Sequence, residues 1–241
     1  MKRLWPILLV VLWFGSACSL MKFPSLSPAT SAPATEEASA PTQAAPPTAP
    51  PSPTPAGPAV LFQDDFSNPE SGWDRVNAKD GITDYTDTGA YRIFVNVDNT
   101  DVWANPGLNF TDVRIEVDAT KVGGPDDNDF GVICRYQGLD NFYFFIISSD
   151  GYYAIGKVQE GEQTLLSGEN MEYSDAILQG MATNHLRADC VGPHLVLFVN
   201  GNKLAEARDD AFADGDVGLI AGTFDTKGTD ILFDNFTVFQ P

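Results

Sequence analysis

From residue 60 onward, apolar and polar positions alternate in short runs. Tyr91, Ile93, Val95 and Val97 alternate with Arg92, Phe94 and Asn96, and Val113, Ile115, Val117 and Ala119 alternate with Arg114, Glu116 and Asp118. A period of two sends successive side chains to opposite faces, so each run predicts a strand with one face on a core. Residues 141–147 are apolar at nearly every position, which predicts a central strand covered on both faces. Asp150-Gly151 then separates this run from 152–158 and predicts a hairpin. A second hairpin is predicted where Asn200-Gly201 divides 195–199 from 203–207, because these two residues accept the positive φ angles of a type I′ turn. Further strands are predicted at 61–66, 129–136, 185–191, 216–224 and 230–239, and helix is confined to a turn at 174–178. About a dozen short strands, with turn signals every 8–12 residues or so, predict an all-β fold: a two-sheet antiparallel jelly-roll sandwich.

The chain before residue 60 has another character. Lys2 and Arg3 precede an apolar stretch of 11 residues, 4–14, and then the small residues Gly15, Ser16 and Ala17. A membrane-spanning helix needs about 20 apolar residues, so this stretch predicts a signal peptide over 1–17. Gly15-Ser16-Ala17-Cys18 resembles the lipobox of bacterial lipoproteins, whose cysteine is acylated and becomes the new N-terminus. Gly15 departs from that pattern, which usually has a branched aliphatic residue there. The resemblance implies a lipid anchor on Cys18 and an extracytoplasmic location at the bacterial cell surface. The alternative is an ordinary secretory signal with an incidental cysteine. Eleven of the 17 prolines fall within 24–58 among Ala, Ser and Thr, a composition with too little apolar bulk to offset its ordering entropy. Residues 18–59 are therefore expected to be a disordered, extended linker, and 60–241 the sandwich domain.

Charge narrows the partners. The chain carries -19, and setting aside Lys2, Arg3, Lys22, Glu36 and Glu37 leaves 11 bases against 31 acids, a net -20 on the domain. Such a field repels phosphate backbones and anionic lipid surfaces, which argues against nucleic acid and leaves neutral sugars and cations as partners. With Cys18 reserved for lipid, Cys134 and Cys190 remain, each in a predicted strand. In an oxidising compartment the pair is expected to form a disulfide; two buried, unlinked thiols are the alternative. Neither cysteine has a Cys-His signature around it, and His185 and His194 are the only imidazoles.

Several segments together resemble the concanavalin A-like lectin and glucanase superfamily, in the laminin-G-like jelly-roll form that recurs in bacterial envelope lipoproteins. They are Asp64-Asp65-Phe66-Ser67-Asn68-Pro69 with Gly72-Trp73, the stretch from Asp129 through Gly131 and Cys134 to Tyr136, the run from Leu195 to Gly201, Gly218-Leu219, and Phe233-Asp234-Asn235-Phe236. The resemblance spans 61–239 and implies the fold, while leaving activity open among lectins, laminin-G-like modules and glucanases. Retaining glucanases of this superfamily carry Glu-x-Asp-x-x-Glu on one strand, which puts two carboxylates on one face. The nearest match, Glu116-Val117-Asp118, has Lys121 where the final acid belongs, so a glycosidase ranks third among the functions considered.

A non-catalytic, lectin-like carbohydrate-binding domain is the expectation, with a structural or protein-interaction module of the envelope as the alternative. Sugar rings stack on aromatic faces while charged and amide groups take the hydroxyls. The candidates for those roles are Trp103, Arg114, Glu116, Arg135, Tyr143 and Tyr153. Arg135 follows Cys134 on its strand and is expected on the opposite face. Two clusters offer oxygens of the kind that calcium needs, Asp126, Asp127, Asn128 and Asp129 in a Gly-Pro loop, and Asp64 or Asp65 with Asp234 where the first and last strands would meet. A structural Ca2+ is the one cofactor considered.

Overall fold

The computed structural model describes residues 57–241, so the signal peptide, Cys18 and nearly all of the proline-rich linker lie outside the described residues. Sixteen strands follow one another: β1 (Val60–Asp64), β2 (Val76–Asn77), β3 (Gly81–Tyr85), β4 (Tyr91–Val95), β5 (Thr100–Ala104), β6 (Val113–Gly123), β7 (Asn128–Tyr136), β8 (Asn141–Ile147), β9 (Tyr152–Gln159), β10 (Glu162–Leu165), β11 (Glu172–Tyr173), β12 (Thr183–Val191), β13 (His194–Val199), β14 (Asn202–Arg208), β15 (Asp216–Thr223) and β16 (Thr229–Phe239). The segment 174–178, expected as a helical turn, holds only a hydrogen-bonded turn in which Ile177 N–H donates to the Ser174 carbonyl.

Two antiparallel sheets form the sandwich. One runs β14-β13-β12-β6-β16-β4-β3-β2, with β1 paired to the far half of β16; the other runs β10-β9-β8-β7-β15-β5, with β11 on β9. We call them the front and back sheets. Alternation decides what lies between them. Tyr91, Ile93 and Val95 on β4 and Val113, Ile115, Val117 and Ala119 on β6 meet Phe130, Val132, Tyr143, Phe145 and Ile147 of the back sheet in one interior. Each of the larger side chains buried there stabilises the fold by about 1.5–3 kcal/mol. Asn200 and Gly201 adopt φ of 50° and 81°, as the type I′ turn between β13 and β14 requires.

Cys134 on β7 and Cys190 on β12 form a disulfide that ties the back sheet to the front one, with Cα atoms 6.8 Å apart. One residue later the strand departs from its expected course. Asp216 pairs with Tyr136 and Gly218 with Ile133, so β7 carries an extra residue there, and Arg135 takes φ 53°. This bulge turns the Arg135 side chain away from the outer face on which simple alternation places it.

Candidate functional site

The outer face of the back sheet carries a second apolar cluster: Ile133, Phe142, Phe144, Ile146, Ala154 and Ile220, with Trp103, Leu165 and Met171 packed against it. Among the described residues no facing sheet covers it. Phe144 stays buried because its ring lies across Gly156, where an added Cβ would stand 2.1 Å from the ring. Trp103, half-buried on β5, lies with its ring centroid 5.3 Å from that of Phe142. A groove of about 430 Å³ opens beside this cluster and continues into a smaller recess of about 190 Å³; both are lined by Asp101, Asp129, Ile146 and Gln163.

The polar floor of the groove is a carboxylate pair. Asp101 on β5 and Asp129 on β7 are both in register with Gly222 on the intervening strand β15. A Cβ on Gly222 would stand 2.1 Å from Asp101 Oδ1 and 2.5 Å from Asp129 Oδ2, so the missing side chain is what lets both carboxylates lean over the same strand. Asp129 is only 3 % exposed. Burial pushes Asp101 up to about 6. Deeper burial, then the neighbouring Asp101 charge, hold Asp129 well above the usual carboxylate range. Like charges this close in a poorly solvated place favour one proton shared between them.

The same row of the sheet continues outward. Beyond the Phe130–Ile147 pair, Asp129 is followed by Ser148, just past the end of β8, then Tyr152 on β9 and Tyr173 on β11. The two tyrosine rings meet edge to face at 5.7 Å and are 40 % and 51 % exposed. With strands about 4.8 Å apart, the line from Asp101 to Tyr173 extends roughly 24 Å across the face, the length of a few sugar rings.

The six residues expected to bind ligand do not form one site. Trp103 lies in the groove region. Arg114 and Glu116 stand on the outer face of the front sheet, where Arg114 Nε donates to Asp189 at 3.2 Å and Glu116 lies 3.7 Å from His185 Nε2. Tyr143 is fully buried between the sheets, donating to Asp209 at 2.6 Å, and burial pushes its hydroxyl up to about 12. Tyr153 is buried too, with its hydroxyl donating to Glu172. Arg135 is 3 % exposed and donates to the carbonyls of Thr111 and Phe212 and to Asp112, which makes it a brace for end loops rather than a face residue. Tyr143 and Tyr153 fall inside because they alternate in phase with Phe145 and Ile155.

The expected calcium ligands are also dispersed. β1 does pair with β16, but Asp64 is occupied by Trp73 Nε1 at 3.0 Å, Ser71 Oγ and the Phe66 N–H. Asp65 accepts from Ser67, and Asp234 from the Asn235 N–H. Asp126 pairs with Lys121, Asp127 is exposed, and Asp129 belongs to the groove. Among the described residues no three acidic, imidazole or thiol groups converge on a metal position. Sequence reasoning missed Asp101 and its link to Asp129. The signal available was Thr-Asp-Val-Trp-Ala, a short run of period two at 100–104.

By sequence, no known protein family and no curated protein matches the chain. Solved structures do. The carbohydrate-binding module CBM66 from Bacillus subtilis superposes with a TM-score of 0.57 at 19% identity, covering 70% of this chain and 96% of that one. A Bacillus subtilis protein of unknown function with a galectin-like fold gives 0.56 at 12% identity, covering 76% and 96%. A Bacteroides ovatus mixed-linkage glucan GH16 protein, in complex with its product, gives 0.54 at 8% identity, covering 75% and 100%. The domain has the concanavalin A-like fold. The solved structures that share this fold include a carbohydrate-binding module and a GH16 protein, so the fold leaves the chemistry to be argued from the groove.

Proposed function

We propose that the protein binds carbohydrate, without cleaving it, in the groove on the outer face of the back sheet. The observation that carries this reading is the continuous groove in which the polar pair Asp101 and Asp129 sits against the apolar surface around Ile146, with Trp103 beside it. Ring faces pack on such a surface while hydroxyls meet the carboxylates. The solved carbohydrate-binding module that shares the fold supports it. Two features weigh against catalysis. A two-carboxylate glycosidase needs its acids about 5–9.5 Å apart, bracketing the bond, whereas Asp101 and Asp129 crowd a single point over Gly222. Glu116 and Asp118, the partial glucanase motif, lie on the front sheet away from the groove, where they engage His185 of the adjacent strand.

The reading includes a lipid anchor at Cys18 and a spacer over 18–59 that holds the domain off a bacterial membrane. A glycan array probed with the purified protein tests the binding: selective signals that weaken in Trp103→Ala support it, and release of sugar from any bound glycan refutes the non-catalytic part. Radiolabelled palmitate that enters the native chain but not Cys18→Ala supports the anchor. The second reading, a protein-contact module, draws on the exposed apolar group Tyr152, Tyr173, Leu178 and Met181. Uniform silence on the array favours it.

A further inference from the structure

The floor of the groove holds two acids and no base. Asp129 is almost completely buried, lines both the groove and its recess, and has its side-chain hydrogen bond with the other acid, Asp101, rather than with a basic or amide donor; among the described residues no ion pair involves either of them. Elsewhere in this domain buried or half-buried carboxylates have donors. Asp64 has Trp73 and Ser71, Asp209 has Tyr143 and Lys157, and Asp216 has the N–H groups of Gly107 and Val217. A buried pair of acids whose hydrogen bond is to each other is costly to ionise unless something entering the cavity supplies donors and positive charge.

We propose that Asp101 and Asp129 together form a receptor for a primary ammonium group, so that the groove selects sugars bearing a free amine over their neutral or N-acetylated counterparts. The proposal rests on the carbohydrate reading of the groove and names the class of sugar. An ammonium is compact and brings three N–H donors, enough to engage carboxylate oxygens from both sides of Gly222 at once. Its positive charge lets both acids ionise, so it takes the place of the proton they otherwise share, and that proton leaves to solvent. A neutral hydroxyl offers one donor and leaves the repulsion between the acids unchanged. An N-acetyl group keeps one N–H and loses the charge. Calcium lacks the further carboxylates it would want, since no third acidic group converges there among the described residues. At long range the net -20 of the domain draws a cationic glycan in and repels acidic ones. Ile146, Leu165 and Met171 provide an apolar wall for the C–H faces of the ring.

Titration calorimetry on the full-length protein tests this with oligomers of glucosamine, N-acetylglucosamine and glucose of equal length, and with calcium chloride. The free-amine oligomer is expected to bind about tenfold tighter or better than the other two and to weaken with salt. In mildly acidic buffer, where the sugar amine is already protonated, its binding is expected to release protons from the acid pair, read from the dependence of the heat on buffer ionisation. Asp129→Asn is expected to abolish the preference and the proton release, so that the free-amine oligomer binds no tighter than the glucose and N-acetylated oligomers. Equal or tighter binding of the N-acetylated or glucose oligomer overturns the proposal and leaves the carbohydrate reading standing; silence from all three overturns both. Calcium that binds and displaces the aminated sugar also overturns it. If Asp129→Asn fails to fold, proton release by the unaltered protein decides alone.

Discussion

Asp101 and Asp129 approach one another from the two strands flanking Gly222, and the second of them is 3 % exposed. Both are shifted upward, so the native state holds protons that the unfolded chain gives up near pH 4. The sign follows. A carboxyl raised on folding stabilises the native state below its unfolded value, and that contribution is lost as pH rises through its folded value. Stability should therefore fall from pH 4 through about 6 as Asp101 ionises, and continue to fall above that because of Asp129. Asp129→Asn should flatten the decline and be the more stable protein at alkaline pH, by on the order of 1–3 kcal/mol. Thermal unfolding of both proteins across that range checks it; a variant that loses stability equally at every pH refutes the shared proton.

Gly222 should tolerate no side chain. A methyl group there would stand within 2.1 Å of Asp101 and 2.5 Å of Asp129, so Gly222→Ala must push both carboxylates off the strand. The expected cost is about 1–3 kcal/mol. Sugar binding should fall with it in the calorimeter, because the two acids no longer converge. Gly201→Ala provides the contrast: its site is open in space, so the cost there comes from its positive φ alone and binding should be unchanged.

Most of the sandwich was legible because its central strands alternate clearly. Tyr91, Ile93 and Val95, or Val113, Ile115 and Val117, each announce an inner face, and Asn200-Gly201 announces its own turn. The strands that were missed, β2, β3, β5, β10 and β11, are short or polar, and their pairing comes from neighbours distant in sequence. The site was less legible for the same reason. Asp101, Asp129 and Gly222 lie far apart in the chain and meet only through the order β7-β15-β5, which alternation does not encode. Arg135 misled because one bulged residue shifts the phase of its strand.

That bulge gives Arg135 a structural role with its own prediction. Its guanidinium donates to the carbonyls of Thr111 and Phe212 and to Asp112, and it is buried. Replacing it with Met leaves those acceptors without a partner and should cost about 2–4 kcal/mol. Sugar binding in the groove should be retained below the new melting point. Loss of binding from a stable Arg135→Met protein would return Arg135 to the binding site.

The disulfide joins the back sheet at β7 to the front sheet at β12, so it restrains the unfolded chain across the sandwich rather than within one sheet. Changing Cys134 and Cys190 together to Ala should lower unfolding free energy by about 2–4 kcal/mol, measured in denaturant. Reductant should bring the native protein toward the double variant and leave that variant unaffected.

The line of residues crossing the back sheet makes a prediction about ligand length. Asp101 lies at one end and Tyr173 at the other, roughly 24 Å away at the usual strand spacing of about 4.8 Å, with Asp129 and Tyr152 about 10 Å apart between them. If a glycan lies along this row, a single sugar held at Asp101 and Asp129 does not reach Tyr173. Affinity should then rise with chain length until the oligomer spans the face, and Tyr173→Ala should weaken long oligomers by about tenfold while leaving the monosaccharide unchanged. Tyr173 is 51 % exposed, so its loss should barely alter the melting temperature, which separates a contact with ligand from a packing defect. Equal effects of Tyr173→Ala on short and long oligomers, or none on either, would place the glycan along the strands instead of across them.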